Sequence, residues 1–250
     1  MSTTLSGNKR LLGIDVSSHQ GIINWAEVAA YPDNVYFTGI RTGISWAYVD
    51  SFFKTNWIEA KAYGILRAAY HVLYPLQPVE RQMDNFLKII GDDLGEFPLV
   101  LDLELVHGAL PAQIQSSVWV AAKYLKSKTG KYPIIYSRKE WIDFNLTKFG
   151  APPAWLNDFY WWLAHYTKDG SEHPGPPPVP KGVDASRVIV HQTSDRQSSI
   201  GSQAKTTDRN RWQAGNEESL YDFVGMHIPD ILTYEDKVDI LWDFHPGIHP

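Results

Sequence analysis

Short apolar runs alternate along most of the chain with longer stretches in which apolar positions recur every three or four residues. The runs predict strands at residues 11–16, 35–41, 65–72, 99–103, 134–136, 160–164 and 188–192, with a short eighth near 207–211. Helical spacing predicts helices at 25–30, 51–62, 78–90, 111–128 and 138–145. The fourth of these opens on Pro111 and stops before Gly130, residue types suited to those two ends. Strand–helix alternation predicts an α/β fold with a parallel sheet, and eight strands suffice to close it into a barrel. Helices are scarce in the second half, where His173-Pro-Gly-Pro-Pro-Pro-Val-Pro180 cannot be helical, so the barrel is expected to be irregular, with about five helices.

Composition shifts after about residue 216. There Thr233 as N-cap, an acidic first turn, and Val238, Leu241 and Trp242 on one face predict a helix over 233–242. The expected organisation is a barrel over residues 9–215 and a short C-terminal helical extension over 216–250.

Residues 97–106, Phe-Pro-Leu-Val-Leu-Asp-Leu-Glu-Leu-Val, read as a buried strand ending in Asp102 and Glu104. Side chains two apart on a strand point the same way, so both acids face one side. Converging carboxyls repel, and the drier one holds its proton to higher pH. That is equipment for acid-catalysed cleavage of a glycosidic bond. A metal site and a salt-bridged strand end are the alternatives this segment leaves standing.

The formal charge of −5, with no basic stripe, argues against a nucleic-acid binder. Without cysteine there is no disulfide framework and no thiolate chemistry. Ten Trp and thirteen Tyr offer rings that can stack on sugars or fill a core. No stretch approaches the length of a membrane span. The first ten residues lack the apolar region of a secretory signal, so the expectation is a protein without a signal peptide, made in the cytoplasm and acting outside it after release, or extracellular by another route. His71, His165 and His191 fall near strand ends in no metal-binding spacing and read as structural; neither a metal nor a cofactor is expected.

Catalytic groups of such barrels gather at the carboxyl ends of the strands. Asp15 closes the first run, Tyr70 comes late in the third, Tyr136 ends the fifth and Tyr166 follows the sixth. Gln192 ends the seventh and Asp208 lies in the eighth. Taken alone, Asp15 could instead hold a turn by accepting from the backbone N–H groups of Ser17 and Ser18. Asp15-Val-Ser-Ser-His-Gln20, the spaced set Asp50, Phe53, Asn56, Ala60 and Gly64, Ala69-Tyr-His71 and Asp102-Leu-Glu104 together resemble glycoside hydrolase family 25. Ile135-Tyr-Ser137 with Trp141, Trp162-Leu-Ala-His-Tyr166, His191-Gln-Thr-Ser194 and Thr207-Asp-Arg-Asn-Arg-Trp212 match in the same order, so the resemblance runs from about residue 11 to residue 212.

The resemblance implies a flattened barrel and a muramidase that hydrolyses the β-1,4 bond from N-acetylmuramic acid to N-acetylglucosamine in peptidoglycan. It implies Glu104 as general acid, with a carboxyl less solvated than its neighbour's. Asp102 would be the partner carboxylate, stabilising an oxocarbenium-like centre or orienting the substrate's N-acetyl group. Asp15 and Asp208 would line the cleft; Tyr70, Tyr136, Trp162, Tyr166 and Gln192 would contact sugar. Of the Trp161-Trp162 pair, one ring is expected in packing and the other toward the cleft. Departures from the family fall at Arg41-Thr-Gly43, where a small residue and an acid are usual, at His191 in place of an aromatic, and over the polar segment 195–205. The expected partner is the peptidoglycan glycan strand, met by a monomer that neither binds nucleic acid nor inserts in a membrane. A phage or prophage endolysin and a bacterial wall-remodelling enzyme are the settings this suggests. Competing expectations are a non-catalytic wall-binding or virion module on the same fold and an N-acetyl-assisted glycosidase such as a chitinase. Pro98, Leu99 and Val100 ahead of Asp102 break the D-x-x-D-x-D-x-E run usual in the latter.

Overall fold

The computed structural model describes residues 10–148 and 150–226. Nine strands are present: β1 (Leu12–Val16), β2 (Val35–Ile44), β3 (Tyr48–Val49), β4 (Leu66–Val72), β5 (Val100–Asp102), β6 (Ile134–Arg138), β7 (Trp161–Ala164), β8 (Val188–Ser194) and β9 (Asp208–Trp212). Eight of them close a barrel in the order β1, β2, β4, β5, β6, β7, β8, β9 and back to β1. Six α-helices accompany them: α1 (Trp25–Ala29), α2 (Phe53–Ala62), α3 (Val79–Ile90), α4 (Pro111–Thr129), α5 (Lys139–Asn145) and α6 (Glu217–Val224).

Local chemistry explains the boundaries. In α1, Asn24 caps the first turn by accepting from the backbone N–H of Glu27. Helix α4 begins on Pro111 and ends at Gly130, whose φ of 78° is the left-handed cap that glycine takes without steric cost. Met83, Phe86 and Ile90 recur along one buried face of α3. The period-two pleat then divides the barrel residues into two sets. On β1, Leu12, Ile14 and Val16 pack outward against the helices, and so do Leu101 of β5 and Leu103 just beyond it. Phe37, Leu66, Ala68, Val100, Ile134, Trp162, Val190 and Trp212 fill the interior. Each fully buried aliphatic side chain of this kind is worth about 1.5–3 kcal/mol.

Two features differ from the sequence-based expectation. The sheet is not wholly parallel, because β9 runs antiparallel to both β8 and β1. The connection over 195–207 contains no helix, and a short return of this kind reverses strand direction. Strand β2 overshoots the barrel and folds back through Ser45, at φ 59°, to pair with β3 as a rim hairpin. Helix α6 lies within the stretch 216–250 and packs Leu220, Tyr221 and Val224 into the inner core. Phe223 meets Phe97 and Tyr160 at 5.9 and 5.0 Å, so α6 covers the barrel at the amino ends of β5 and β7. The helix expected over 233–242 lies outside the described residues.

Candidate active site

The pleat that sends Ile14 and Leu101 outward sends their neighbours inward. Asp15, the penultimate residue of β1, lies opposite Asp208, its register partner on β9. Val72 of β4 is level with Asp102, which is level with Tyr136; Ala164 is level with Gln192. The result is a cleft of about 330 Å³ at the carboxyl end of the barrel, lined by Asp15, Asp102, Glu104 and Asp208 together with Tyr70, Tyr136, Trp162 and Gln192. All four acids expected at the site therefore meet. Tyr166 does not line the cleft; it stands behind Gln192, donating its hydroxyl to Oε1, with the Arg138 guanidinium 4.8 Å from its ring centre.

Gln192 organises one side. Its Oε1 accepts from Tyr136 at 2.7 Å and from Tyr166, while Nε2 donates to Asp15 Oδ2 at 2.6 Å and to Asp208 Oδ2 at 3.3 Å. The opposite amide orientation would set Oε1 against two carboxyls, so the network fixes the rotamer. Asn210, one pleat below Asp208, donates to Asp15 Oδ2 at 2.8 Å and accepts from Trp162 Nε1 at 2.8 Å. Trp162 is thus the floor of the cleft, whereas Trp161 packs on the helix side and donates to the Leu156 carbonyl. Room for the Trp162 ring comes from Gly39, where a Cβ would stand 3.1 Å from both Trp162 and Asp15.

The turn-holding alternative for Asp15 is not what the structure contains. The backbone N–H of Ser18 donates to Asp50 at 2.9 Å and that of Ser17 to Gln20 at 2.8 Å. Asp50 also pairs with Arg41 at 2.8 Å, both side chains being buried. Arg41, one of the positions where the chain departs from the family, lines the cleft as a buried cation.

Burial raises the pKa of every acid in the cleft. Asp15 is raised by burial, against the opposing effect of its bonds from Asn210 and Gln192. Asp208 is pushed up to about 8, first by burial and then by the nearby charge of Asp15. Asp102 is only 6 % exposed, and its Oδ1 has no hydrogen-bond partner. Burial, then Glu104 and Asp15, hold its pKa well above the usual carboxylate range. Glu104 is also raised by burial, opposed by Arg138, whose Nε is 3.9 Å away.

One expectation is reversed here. Glu104 was to be the less solvated acid, yet its side chain is 42 % exposed and Asp102 is the dry one. The cause is where the strand ends: β5 stops at Asp102, and Glu104 stands two residues beyond it at the mouth. Three contributors escaped the sequence reading. Asn210 follows Asp208 by two and shares its face, a signal of strand parity; Arg41 stood out only as a departure from the family, and Arg138 carried no pattern that pointed to it. His71 stacks on Phe86 at 5.1 Å outside the barrel, and burial lowers its pKa to about 3, as suits a neutral core ring. Among the described residues, no group of three or more His, Cys, Asp or Glu is arranged to hold a metal ion.

The family model described as Glycosyl hydrolases family 25 matches residues 14–202. The uncharacterized protein YegX of Escherichia coli is 35 % identical over 167 residues, 65 % of this chain, and the matched part is 59 % of the Escherichia coli protein's length. Lysozyme M1 of Streptomyces globisporus is 28 % identical over 213 residues, covering 80 % of this chain and 67 % of that protein. The crystal structure of a bacterial lysozyme from Streptomyces coelicolor has the same fold, with a TM-score of 0.73 at 24 % identity over 87 % of this chain and 98 % of that one. The match spans three quarters of the chain and contains Asp15, Asp102 and Glu104, and on that ground the chain belongs to glycosyl hydrolases family 25.

Proposed function

We propose that the protein is a muramidase, hydrolysing the β-1,4 bond between N-acetylmuramic acid and N-acetylglucosamine in peptidoglycan. The observation that carries this reading is the meeting of Asp102 and Glu104 in one cleft with Asp15 and Asp208, all with raised pKa values. Lysozyme M1, a relative in sequence, and membership of a glycosyl hydrolase family support it.

Glu104 is the general acid in this reading, and the Asp102–Glu104 pair titrates as a unit. At rest burial favours the protonated form of Asp102 more strongly than that of half-exposed Glu104. A sugar docked over the mouth strips water from Glu104, raises that carboxyl further and draws the proton outward to it. Glu104 can then protonate the leaving oxygen, while ionised Asp102 faces the developing positive charge or the N-acetyl group of the substrate. Asp15, fixed by Gln192 and Asn210, adds a second negative charge below the reacting sugar. Burial keeps both phenols protonated: Tyr70 serves as a donor to a sugar oxygen, while Tyr136, whose proton goes to Gln192, can accept from a sugar hydroxyl. Mass spectrometry of fragments released from purified walls tests the reading. New reducing ends on muramic acid are expected; reducing ends on glucosamine alone, or intact walls, would reject it.

A further inference from the structure

The strands that carry the acid pair and its neighbour, β4 and β5, diverge beyond the cleft. Val72 and Leu105 are cleft residues, and the segments that follow them are the two walls of a second depression of about 590 Å³. Pro75, Leu76 and Gln77 form one wall; Gln113, Ser116 and Ser117, from the first turns of α4, form the other. Between cleft and groove the walls are bridged by Tyr74 and His107, stacked at 4.0 Å and hydrogen-bonded at 3.2 Å. The groove therefore lies beyond the Tyr74–His107 pair, next to the barrel mouth on the side on which Asp102 and Glu104 stand.

Its walls are preformed. Gln82 accepts from the Tyr74 N–H at 2.9 Å and donates to the Tyr74 carbonyl at 2.9 Å, fixing the loop after β4. Ser117 Oγ donates across the groove to the Pro75 carbonyl at 2.7 Å. The lining carries no charge, only amides, hydroxyls and aliphatic groups. Leu76 is 50 % exposed, with Val106 and Leu110 also exposed on the segment leading into α4. Exposed apolar side chains gathered beside a rigid polar groove mark a binding surface.

We propose that this groove holds the peptide stem of peptidoglycan, an inference that rests on the muramidase reading. Peptidoglycan is branched: short peptides leave the glycan strand at the lactyl ether of muramic acid. A strand lying across the barrel mouth needs a lateral path for that branch, and the surface over the Tyr74–His107 pair leads from the mouth to this groove. A neutral lining of amide and hydroxyl groups suits peptide amides, and the leucines suit methyl-bearing side chains. The occupant is a covalent part of a substrate already in the adjoining cleft, so a modest groove suffices.

Rates should be compared on soluble peptide-bearing glycan and on the same glycan with its peptides removed at the lactyl amide. Ser116→Trp fills the groove from an exposed position, and Leu76→Ala trims its other wall. On peptide-bearing glycan Ser116→Trp should lower kcat/KM at least about fivefold, mostly through KM, as loss of about 1 kcal/mol of binding requires. Leu76→Ala should act in the same direction, and both variants should match wild type on the stripped glycan. Equal losses on the two substrates, or none on either, would overturn the assignment. Wild-type protein that cleaves neither glycan would instead bring down the muramidase reading, and the groove's role with it.

Discussion

Asp15 and Asp208 face each other as register partners across β1 and β9, and one amide nitrogen, that of Gln192, reaches both carboxyls. Two acids held this close in a dry place would repel if both were charged. The shorter bond goes to Asp15, which also accepts from Asn210, so Asp15 is the better-stabilised anion and Asp208 the better proton holder. Two tyrosines lock the Gln192 oxygen and so aim its nitrogen.

Gln192→Leu keeps the volume and removes that arrangement. Leaving buried polar groups without a partner costs about 1–3 kcal/mol, so the melting temperature should fall. Displacement of Asp15 and Tyr136 should lower kcat by about 10²-fold. Thermal melts and wall-clearing rates on the same preparation check both.

Asp208 gives a pH signature. The folded state keeps this proton up to about pH 8, whereas the unfolded chain releases it near the ordinary value of 3.8. The folded form binds more protons across that window, so stability is lost as pH rises from about 4 to about 8. Asp208→Asn removes the loss. Its melting temperature should exceed that of wild type at pH 8 and approach it at pH 4; a gap independent of pH would contradict the raised pKa.

Arg41 and Asp50 are a buried pair at 2.8 Å. Arg41→Met leaves Asp50 charged and unpaired, which should cost about 3–5 kcal/mol. Replacing both, as Arg41→Met with Asp50→Leu, should recover part of that loss. A double-mutant cycle by chemical denaturation reads the coupling.

Gly39→Ala should show the tightness of the floor. A Cβ placed 3.1 Å from Trp162 and from Asp15 must displace one or both. Overpacking of this sort costs about 1–3 kcal/mol. Here turnover should drop as well, because Asp15 moves; stability assays and kcat measured together separate this from a simple core defect.

Much of this architecture was legible in the residues. Period-two runs such as Leu12, Ile14 and Val16 name both a strand and the parity that turns Asp15 inward, and the same parity brings Tyr70, Asp102, Tyr136, Gln192 and Asp208 to one mouth. What was not legible depends on tertiary placement. The direction of β9 follows from a helix-free return, which its own residues do not encode. The rim hairpin turns at Ser45 without the glycine that would have announced it. Asp102 and Glu104 look alike in a strand pattern, and only the end of β5 makes one dry and the other open to the cleft mouth. Tyr166 sits one layer behind the cleft because Gln192 intervenes, a contact across 26 residues that no local spacing reveals.

The central claim is that Glu104 supplies the proton. Glu104→Gln preserves shape and hydrogen bonding at a half-exposed position, so its unfolding free energy should stay within about 0.5 kcal/mol of wild type. The clearing rate on purified walls should fall by about 10²–10⁴-fold, the usual worth of general acid catalysis. Near-wild-type clearing by this folded variant would contradict the account.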